Sequence, residues 1–235
     1  MTTFKVNAII TAGGASSRFG SKNKLLEKIH GKEVIRWTAE AFERSNVNEI
    51  IICANPAIME DLKKIFSKNI KIIEGGTTRQ ESVFNGLKVC KCDYVLIHDG
   101  ARPVISPEDI NRAVEMTIEK HAMTAAAKTI DTIKEVENGV ITRTISREKL
   151  YNTQTPQGFE YNLIKAAHEK FAGDNFTDDA GMVEALGKPV YILEGSHKNI
   201  KITTPEDIAA AEVYLSCREG NCPSFSRPAG ESANT

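Results

Sequence analysis

The chain has 235 residues, of which 41% are hydrophobic and 26% are charged, and its formal net charge is -1 at pH 7. This composition indicates one folded α/β domain or two small ones and excludes a disordered chain. The small net charge excludes a global field for nucleic acid or an anionic membrane. No apolar run approaches membrane-spanning length and no export signal opens the chain, so we expect a cytoplasmic protein.

Strand-like apolar runs alternate with segments of helical spacing through the first half of the chain. The predicted strands are 5–11, 49–54, 70–74 and 94–99, and the predicted helices lie near 34–41, 56–67, 79–90 and 110–118. This βαβ alternation predicts a doubly wound, mostly parallel sheet with helices on both faces. Functional loops are then expected at the carboxyl ends of the strands.

A glycine-rich loop follows the first predicted strand and reads T-A-G-G-A-S-S-R-F-G from Thr11. Its small residues allow backbone N–H groups to approach an anion, and Arg18, Lys22 and Lys24 add positive charge for a triphosphate. An ordinary strand-to-helix turn with a basic rim explains the loop equally well. Neither the G-x-G-x-x-G fingerprint nor the Walker A pattern fits its spacing.

The fourth predicted strand ends in H-D-G-A-R-P from His98. Asp99, at a strand's carboxyl end and next to a glycine, is a natural ligand for a divalent metal, and Arg102 could bind a phosphate. An internal Asp99–Arg102 salt bridge is the alternative. We expect His98 to pack against or orient Asp99 rather than to act in catalysis.

A hairpin interrupts the α/β rhythm near Asp131. Segments 132–137 and 140–146 are rich in Thr, Val and Ile and flank Asn138-Gly139, a strong turn signal. A two-stranded ribbon alone is only marginally stable in water. We therefore expect a protruding arm, about 132–152, that packs against a second subunit in a homodimer.

The last part of the chain combines a lysine in an apolar run with a capped helix. Lys201 lies in a predicted strand, 199–204, where its partner is either a structural carboxylate or a substrate phosphate. S-P-E-D from Ser106 and T-P-E-D from Thr204 are typical helix starts, so their acids are interpreted as capping residues rather than metal ligands. We expect a single domain over 1–216 and a disordered tail over 217–235.

The five cysteines show no metal-binding spacing. Their odd number and the lack of a repeated C-x-x-C argue against a disulfide framework and a zinc site. Cys53 lies in an apolar run and is expected to be a buried thiol. Free thiols would fit a reducing cytosol.

Several separated stretches together resemble the 2-C-methyl-D-erythritol 4-phosphate cytidylyltransferases of the non-mevalonate isoprenoid pathway. The resemblance covers roughly 5–215 in family order, and the ordered set is far more specific than any one motif. Gly100 stands where the family commonly has Ala, Ser16 replaces a usual Gly, and the family's P-K-Q appears as Asn23-Lys24-Leu25. The stretches are A-G-G-A-S-S-R-F-G from Ala12, G-G-T-T-R-Q-E-S-V-F-N-G-L from Gly75, H-D-G-A-R-P from His98, D-T-I-K from Asp131, Q-T-P-Q from Gln154, and N-I-K-I-T-T-P-E-D from Asn199.

The resemblance implies a Rossmann-like nucleotidyltransferase fold and a transfer of CMP from CTP to the polyol phosphate, with release of pyrophosphate. Arg18 and Lys24 would stabilise charge on the phosphates, and Asp99 would hold Mg²⁺, with Mn²⁺ as an alternative. Arg147 would reach the neighbouring subunit's site across the dimer. CTP would be held by Ala12, Gly13, Gly14, Gly76 and Ser82, and the second substrate by Arg102, Thr132, Thr155 and Lys201.

Three other functions remain open from the sequence. A cytidylyltransferase for ribitol 5-phosphate or another polyol phosphate is the nearest alternative, although S-V-F-N-G-L from Ser82 is closer to the methylerythritol branch. A sugar-1-phosphate nucleotidyltransferase on a similar sheet is the second. A nucleotide-binding module without catalytic activity is the third, and it is disfavoured because basic and acidic candidates occur together at every expected site.

Overall fold

A central sheet and seven α-helices make up most of the residues that the structure describes. The computed structural model describes residues 4–14, 19, 23–66, 70–218 and 220–221. The strands are β1 Val6–Ala12, β2 Lys28–Ile29, β3 Lys32–Glu33, β4 Glu49–Ala54, β5 Ile70–Glu74, β6 Tyr94–Asp99, β7 Ala122–Lys128, β8 Ile133–Glu137, β9 Val140–Ile145, β10 Tyr151–Glu160 and β11 Tyr191–Glu194. The helices are α1 Val34–Glu43, α2 Met59–Ile65, α3 Arg79–Val89, α4 Pro107–Lys120, α5 Tyr161–Lys170, α6 Asp179–Ala185 and α7 Glu206–Arg218.

The seven-stranded sheet has the order β11-β7-β10-β6-β1-β4-β5. Strands β6, β1, β4 and β5 run parallel, β11 is parallel to β7, and β10 is antiparallel to both of its neighbours. The prediction of a mostly parallel sheet is confirmed. The chain moves from β1 to β4 and β5 on one side and then returns to β6 on the other. The strand order thus reverses between β1 and β6, where open α/β sheets bind ligands.

Helices cover both faces of this sheet, as the doubly wound prediction requires. Alternate residues of β1 face opposite ways, because side chains alternate along a strand. Ala8 and Ile10 belong to a buried cluster that includes residues of α1, α2, α4 and α7. Ile9 belongs to a second buried cluster with residues of α3, α5 and α6. The sheet is therefore the middle of three layers.

The predicted hairpin is confirmed as β8 and β9, which form their own two-stranded sheet. Asn138 and Gly139 have φ values of 50° and 80°, the positive pair that a tight hairpin turn requires. Four aliphatic side chains on or beside this arm are exposed rather than packed on the main core. They are Ile130, Val136, Val140 and Ile141.

Segment 199–204 does not form the strand that its apolar residues predicted, and that prediction is wrong. The backbone N–H of Ile202 donates to the carbonyl of Ala101 at 2.8 Å. The segment thus crosses the carboxyl end of the sheet without joining the ladder. Both helix starts are capped, as predicted. At the first, Ser106 Oγ accepts from the N–H of Asp109 at 3.1 Å; at the second, Asp207 Oδ2 accepts from the N–H of Thr204 at 2.8 Å.

The remaining sequence-based expectations concern the thiols, the tail and the membrane. Cys53 is a buried free thiol, and burial raises its pKa to about 12. Cys90 and Cys92 are also free thiols, as expected, but Cys217 is disulfide-bonded. The expectation of free thiols is therefore wrong for Cys217, because an odd count excludes only complete pairing. Most of the expected tail, 219 and 222–235, lies outside the described residues. No helix within the described ranges is long and apolar enough to cross a membrane.

Candidate active site

A cleft of about 710 Å³ opens at the carboxyl ends of β1, β4, β5 and β6. Its size is typical of a small-molecule site, and it lies where the strand order reverses. Glycines from the loops after β1 and β5 form part of its wall, and charged side chains form another part. The glycines are Gly13, Gly14, Gly75 and Gly76, and the charged residues are Lys24, Glu74, Arg79, Glu81, Asp99 and Lys201.

The glycine wall is held by the N-terminal turn of α3. Ser82 is buried, and its Oγ accepts from the N–H of Gly76 at 3.0 Å and donates to the carbonyl of Thr78 at 2.8 Å. A Cβ added at Gly13 would lie 2.8 Å from Ser82 Oγ, and one at Gly76 would collide with Glu81. Both positions therefore need glycine, which leaves backbone groups to line the cleft together with Ala12.

Asp99 ends β6 beside the cleft and is surrounded by three cations. Lys201 Nζ lies 2.8 Å from Oδ2, Arg79 Nε lies 3.3 Å from Oδ1, and Arg102 Nε lies 3.6 Å from Oδ2. The Asp99–Arg102 salt bridge that the sequence left open is therefore present. The partner of Lys201 is likewise a carboxylate of the protein. This excess of positive charge suits a ligand that carries several negative charges.

The surroundings of Asp99 keep it ionised. Burial alone raises the pKa of this carboxyl, but the charges of Arg79 and then Lys201 outweigh burial and hold the pKa well below its usual range. Burial lowers the pKa of His98 to about 3, so this side chain is neutral at physiological pH. His98 Nδ1 lies 3.0 Å from Thr155 Oγ1. The position of His98 is that of a packing residue, as expected.

The residues fit a divalent cation only if phosphates complete its coordination. Among the described residues no group of three His, Cys, Asp or Glu side chains could hold a metal by itself. Mg²⁺ is commonly bound by one or two carboxylates together with substrate phosphates. Asp99 meets that description, because it is an ionised carboxylate on the wall of the cleft.

Two further residues expected in substrate binding lie behind Asp99. Thr155 is buried, and its Oγ1 accepts from the backbone N–H of Asp99 at 3.0 Å. Arg102 Nη1 donates to the carbonyl of Asn199 at 2.6 Å. The hydrogen bonds of Thr155 and Arg102 thus hold the carboxyl end of β6, where Asp99 lies, in position.

The other expected site residues fall into three groups: one lines the cleft, two lie outside the described residues, and two lie on the arm. Lys24 lines the cleft, and its Nζ donates to the carbonyl of Ile202 at 2.7 Å. Arg18 and Lys22 lie outside the described residues. Thr132 and Arg147 are exposed on the arm, where Arg147 Nη1 donates to the carbonyl of Ile130. Among the described residues that line the cleft, neither Thr132 nor Arg147 is found.

Sequence reasoning missed Arg79 and its second partner, Asp179. Arg79 Nη1 lies 2.7 Å from Asp179 Oδ2, and Asp179 is fully buried. One local signal could have indicated Arg79: T-R-Q-E from Thr78 is a capping-box pattern, which places the arginine in the first turn of a helix. The structure contains that capping box.

The sheet with its strand-order reversal, the glycine wall and the cations around Asp99 indicate an α/β protein that binds a nucleotide or a similar anionic ligand. A family model described as 2-C-methyl-D-erythritol 4-phosphate cytidylyltransferase (IspD) matches residues 6–217. Proteins of that name from Clostridioides difficile and Prochlorococcus marinus are each 42% identical to this chain. The alignments cover 89% and 91% of this chain and 93% and 99% of the relatives.

Solved structures agree with the family model. The 4-diphosphocytidyl-2C-methyl-D-erythritol synthase of Anaerococcus prevotii superposes with a TM-score of 0.81 at 32% identity, covering 91% of this chain and 96% of that one. This chain belongs to the 2-C-methyl-D-erythritol 4-phosphate cytidylyltransferase family. It is therefore a nucleotidyltransferase, as its sequence motifs implied.

Proposed function

We propose that this chain transfers CMP from CTP to 2-C-methyl-D-erythritol 4-phosphate and releases pyrophosphate, as a Mg²⁺-dependent cytoplasmic homodimer. The observation that carries the proposal is Asp99 with its surrounding cations in a glycine-lined cleft at the strand-order reversal. Membership in the family supplies the two substrates.

The reaction needs positioning and charge stabilisation more than proton transfer. A phosphate monoester has a second pKa near 6, so the attacking phosphate oxygen is already anionic at neutral pH. This oxygen forms a bond to the α-phosphorus of CTP while the bond to the β,γ-pyrophosphate breaks. Two polyanions must therefore meet, and fixed cations lower the barrier by stabilising the charge that builds up on the α-phosphoryl oxygens.

The expected site residues would divide these tasks. Lys24, with Arg18, would stabilise charge on the α-phosphate and the leaving pyrophosphate. Lys201 and Arg102 would exchange Asp99 for the phosphate of the second substrate, which would free the carboxylate to bind Mg²⁺. The metal would neutralise phosphate charge as a Lewis acid. Thr132 and Thr155 would complete the second substrate's site.

Backbone groups that surround a small base should exclude purines. At Gly13 and Gly76 the wall of the cleft is backbone, and the hydrogen bond from Gly76 N–H to Ser82 Oγ holds that backbone in place. We expect CTP to exceed ATP and GTP by at least about 100-fold in kcat/KM, measured by pyrophosphate release. In the same assay, 2-C-methyl-D-erythritol 4-phosphate should exceed ribitol 5-phosphate and other polyol phosphates.

Three results would contradict this function. Comparable kcat/KM values with ATP and CTP would show that the cleft does not discriminate between a purine and a pyrimidine base. Faster turnover with ribitol 5-phosphate would favour the alternative polyol. Binding of CTP without turnover on any acceptor would indicate a nucleotide-binding module instead.

The exposed arm supports the homodimer. Four aliphatic side chains on or beside β8 and β9 are between 53% and 67% exposed, and exposing them to water is unfavourable. Burial against a twin arm related by two-fold symmetry would remove them from water. Arg147 follows β9 at the base of this arm, opposite the Asn138-Gly139 turn, and the same contact would bring it to the neighbour's cleft.

Mixing two inactive variants should test this arrangement. An Arg147→Ala subunit would be defective only towards its neighbour's cleft, whereas a Lys24→Ala subunit would be defective in its own. With random one-to-one exchange, about half of the dimers are heterodimers with one intact site each, so activity should recover to roughly a quarter of the wild-type level. Steady-state rates after verified subunit exchange provide the measurement.

The matched control is a mixture of Arg143→Ala with Lys24→Ala. Arg143 lies on the same arm but pairs with Glu135 of the opposite strand, so its own variant should stay active. If the Arg147→Ala and Lys24→Ala mixture shows no recovery, Arg147 does not act across the dimer.

A further inference from the structure

A buried ion chain runs from the cleft into the layer of helices behind it. Arg79 bridges two carboxylates with different nitrogens: Nε lies 3.3 Å from Asp99 Oδ1, and Nη1 lies 2.7 Å from Asp179 Oδ2. Asp99 is nearly buried, with a side chain 9% exposed, and Asp179 is fully buried. A charge so deeply buried is stable only with partners in good geometry.

Arg79 and Asp179 each lie in the first turn of a helix whose N-terminus is capped. Arg79 is the first residue of α3, where Thr78 Oγ1 accepts from Glu81 N at 3.1 Å and Glu81 closes the capping box. Asp179 is the first residue of α6, and its backbone N–H donates to Gln157 Oε1 of β10 at 3.0 Å. The backbone of Arg79 or of Asp179 therefore cannot shift without disturbing a helix cap.

His168 is the last member of this series of buried ion pairs, after Asp99, Arg79 and Asp179. Its Nε2 lies 3.0 Å from Asp179 Oδ1, so both oxygens of this carboxylate have a partner. The imidazole ring is buried and stacks on Phe84 of α3, with the ring centroids 5.8 Å apart and an interplanar angle of 4°. Asp179 is thereby held with one oxygen directed at Arg79.

We propose that Arg79 is a positioning residue for Asp99, and that Asp179 and His168 fix Arg79 so that its single charge is shared between two carboxylates. Arg79 bound to Asp99 alone would neutralise it and compete with a divalent cation. Because Asp179 takes part of that charge, Arg79 orients Asp99 while leaving it able to bind the cation. This inference rests on the proposed function in treating Asp99 as the Mg²⁺ ligand.

The test replaces the guanidinium by a single ammonium. Arg79→Lys keeps the charge, but one nitrogen cannot bridge both carboxylates in the geometry of the fork. The matched control is Arg36→Lys on α1. Arg36 also bridges two carboxylates, Glu40 at 3.1 Å and Glu43 at 3.0 Å, and its side chain is 27% exposed, against 26% for Arg79.

Two readouts separate positioning from mere structural support. We expect Arg79→Lys to lower kcat/KM by about 100-fold, the effect of a misplaced reacting group. We also expect calorimetric CTP binding, without the second substrate, to need about 10-fold more Mg²⁺ for half-maximal affinity, as when a group that orients a metal ligand is lost. Arg36→Lys should change neither quantity.

The inference is overturned if Arg79→Lys matches Arg36→Lys in both readouts, or if it lowers only the Tm. If Arg79→Lys does not fold, the Mg²⁺ requirement is measured in His168→Gln instead. The glutamine amide keeps a hydrogen-bond donor for Asp179, but it lacks the geometry of the imidazole ring that holds Asp179 in place. An unchanged Mg²⁺ requirement in that folded variant would overturn the inference. Absence of wild-type turnover with CTP and the polyol phosphate would instead refute the proposed function.

Discussion

Asp99→Asn should abolish metal-dependent turnover and also destabilise the protein. Asn keeps the shape but lacks the charge that a hard divalent cation requires. The substitution also leaves Arg79, Arg102 and Lys201 without the carboxylate they share. Removing one partner of a buried ion cluster should lower the free energy of unfolding by about 3 kcal/mol. Denaturant unfolding and pyrophosphate release measure the two effects.

The pH dependence of this stability difference follows from the low pKa of Asp99 in the folded protein. A carboxyl with a depressed pKa stabilises the fold fully above its unfolded pKa of about 4, and that stabilisation is lost as the pH falls towards the folded value. The gap in unfolding free energy between wild type and Asp99→Asn should therefore narrow below about pH 4.

Asp109→Asn is the matched control for this substitution. Asp109 pairs with Arg112 on α4, and both side chains are well exposed, at 44% and 52%. Loss of that surface pair should change stability by about 1 kcal/mol or less and leave turnover intact. Near-normal turnover of Asp99→Asn at low Mg²⁺ would show that Asp99 has only a structural role.

Lys24→Ala should lower kcat far more than it weakens CTP binding. Lys24 Nζ lies in the wall of the cleft, and a charge that acts mainly in the transition state lowers kcat and kcat/KM together. Removing one such group should reduce kcat by about 100- to 1,000-fold. Steady-state kinetics and calorimetric titration with CTP separate the two quantities.

Lys28→Ala provides the comparison for Lys24→Ala. Lys28 lies four positions further along the chain, is 61% exposed, and pairs with Glu33 on the neighbouring strand. Its loss should leave kcat within about 2-fold, as is usual for a surface charge. A Lys24→Ala variant with normal kcat and a raised KM would show that Lys24 contributes binding alone.

Local sequence patterns closely predicted the strands of the parallel half of the sheet, β6-β1-β4-β5. Strands β4, β5 and β6 begin and end where their apolar runs do, at 49–54, 70–74 and 94–99. Asn138-Gly139 likewise predicted the hairpin turn. These elements are set by neighbouring residues, so a single sequence contains the necessary signal.

The rest of the site depends on contacts between distant residues. The pairing of Arg79 with Asp179 joins residues 100 positions apart, and nothing in either local sequence indicates the other. The antiparallel position of β10 between β6 and β7 brings Thr155 beside Asp99. Segment 199–204 has an apolar pattern typical of a strand, but its backbone bonds to Ala101 instead. Tertiary packing overrides local preference in such places.

The hydrogen bond from Lys24 to the carbonyl of Ile202 joins residues 178 positions apart. During synthesis the chain leaves the ribosome from its N-terminus, and domains generally fold as units. The glycine loop and Asp99 emerge long before Lys201, so a nascent chain has no complete binding surface until most of the chain is outside. Closure of such a distant contact is slow compared with local pairing. The ability to bind substrate is therefore among the last properties that a newly made molecule acquires.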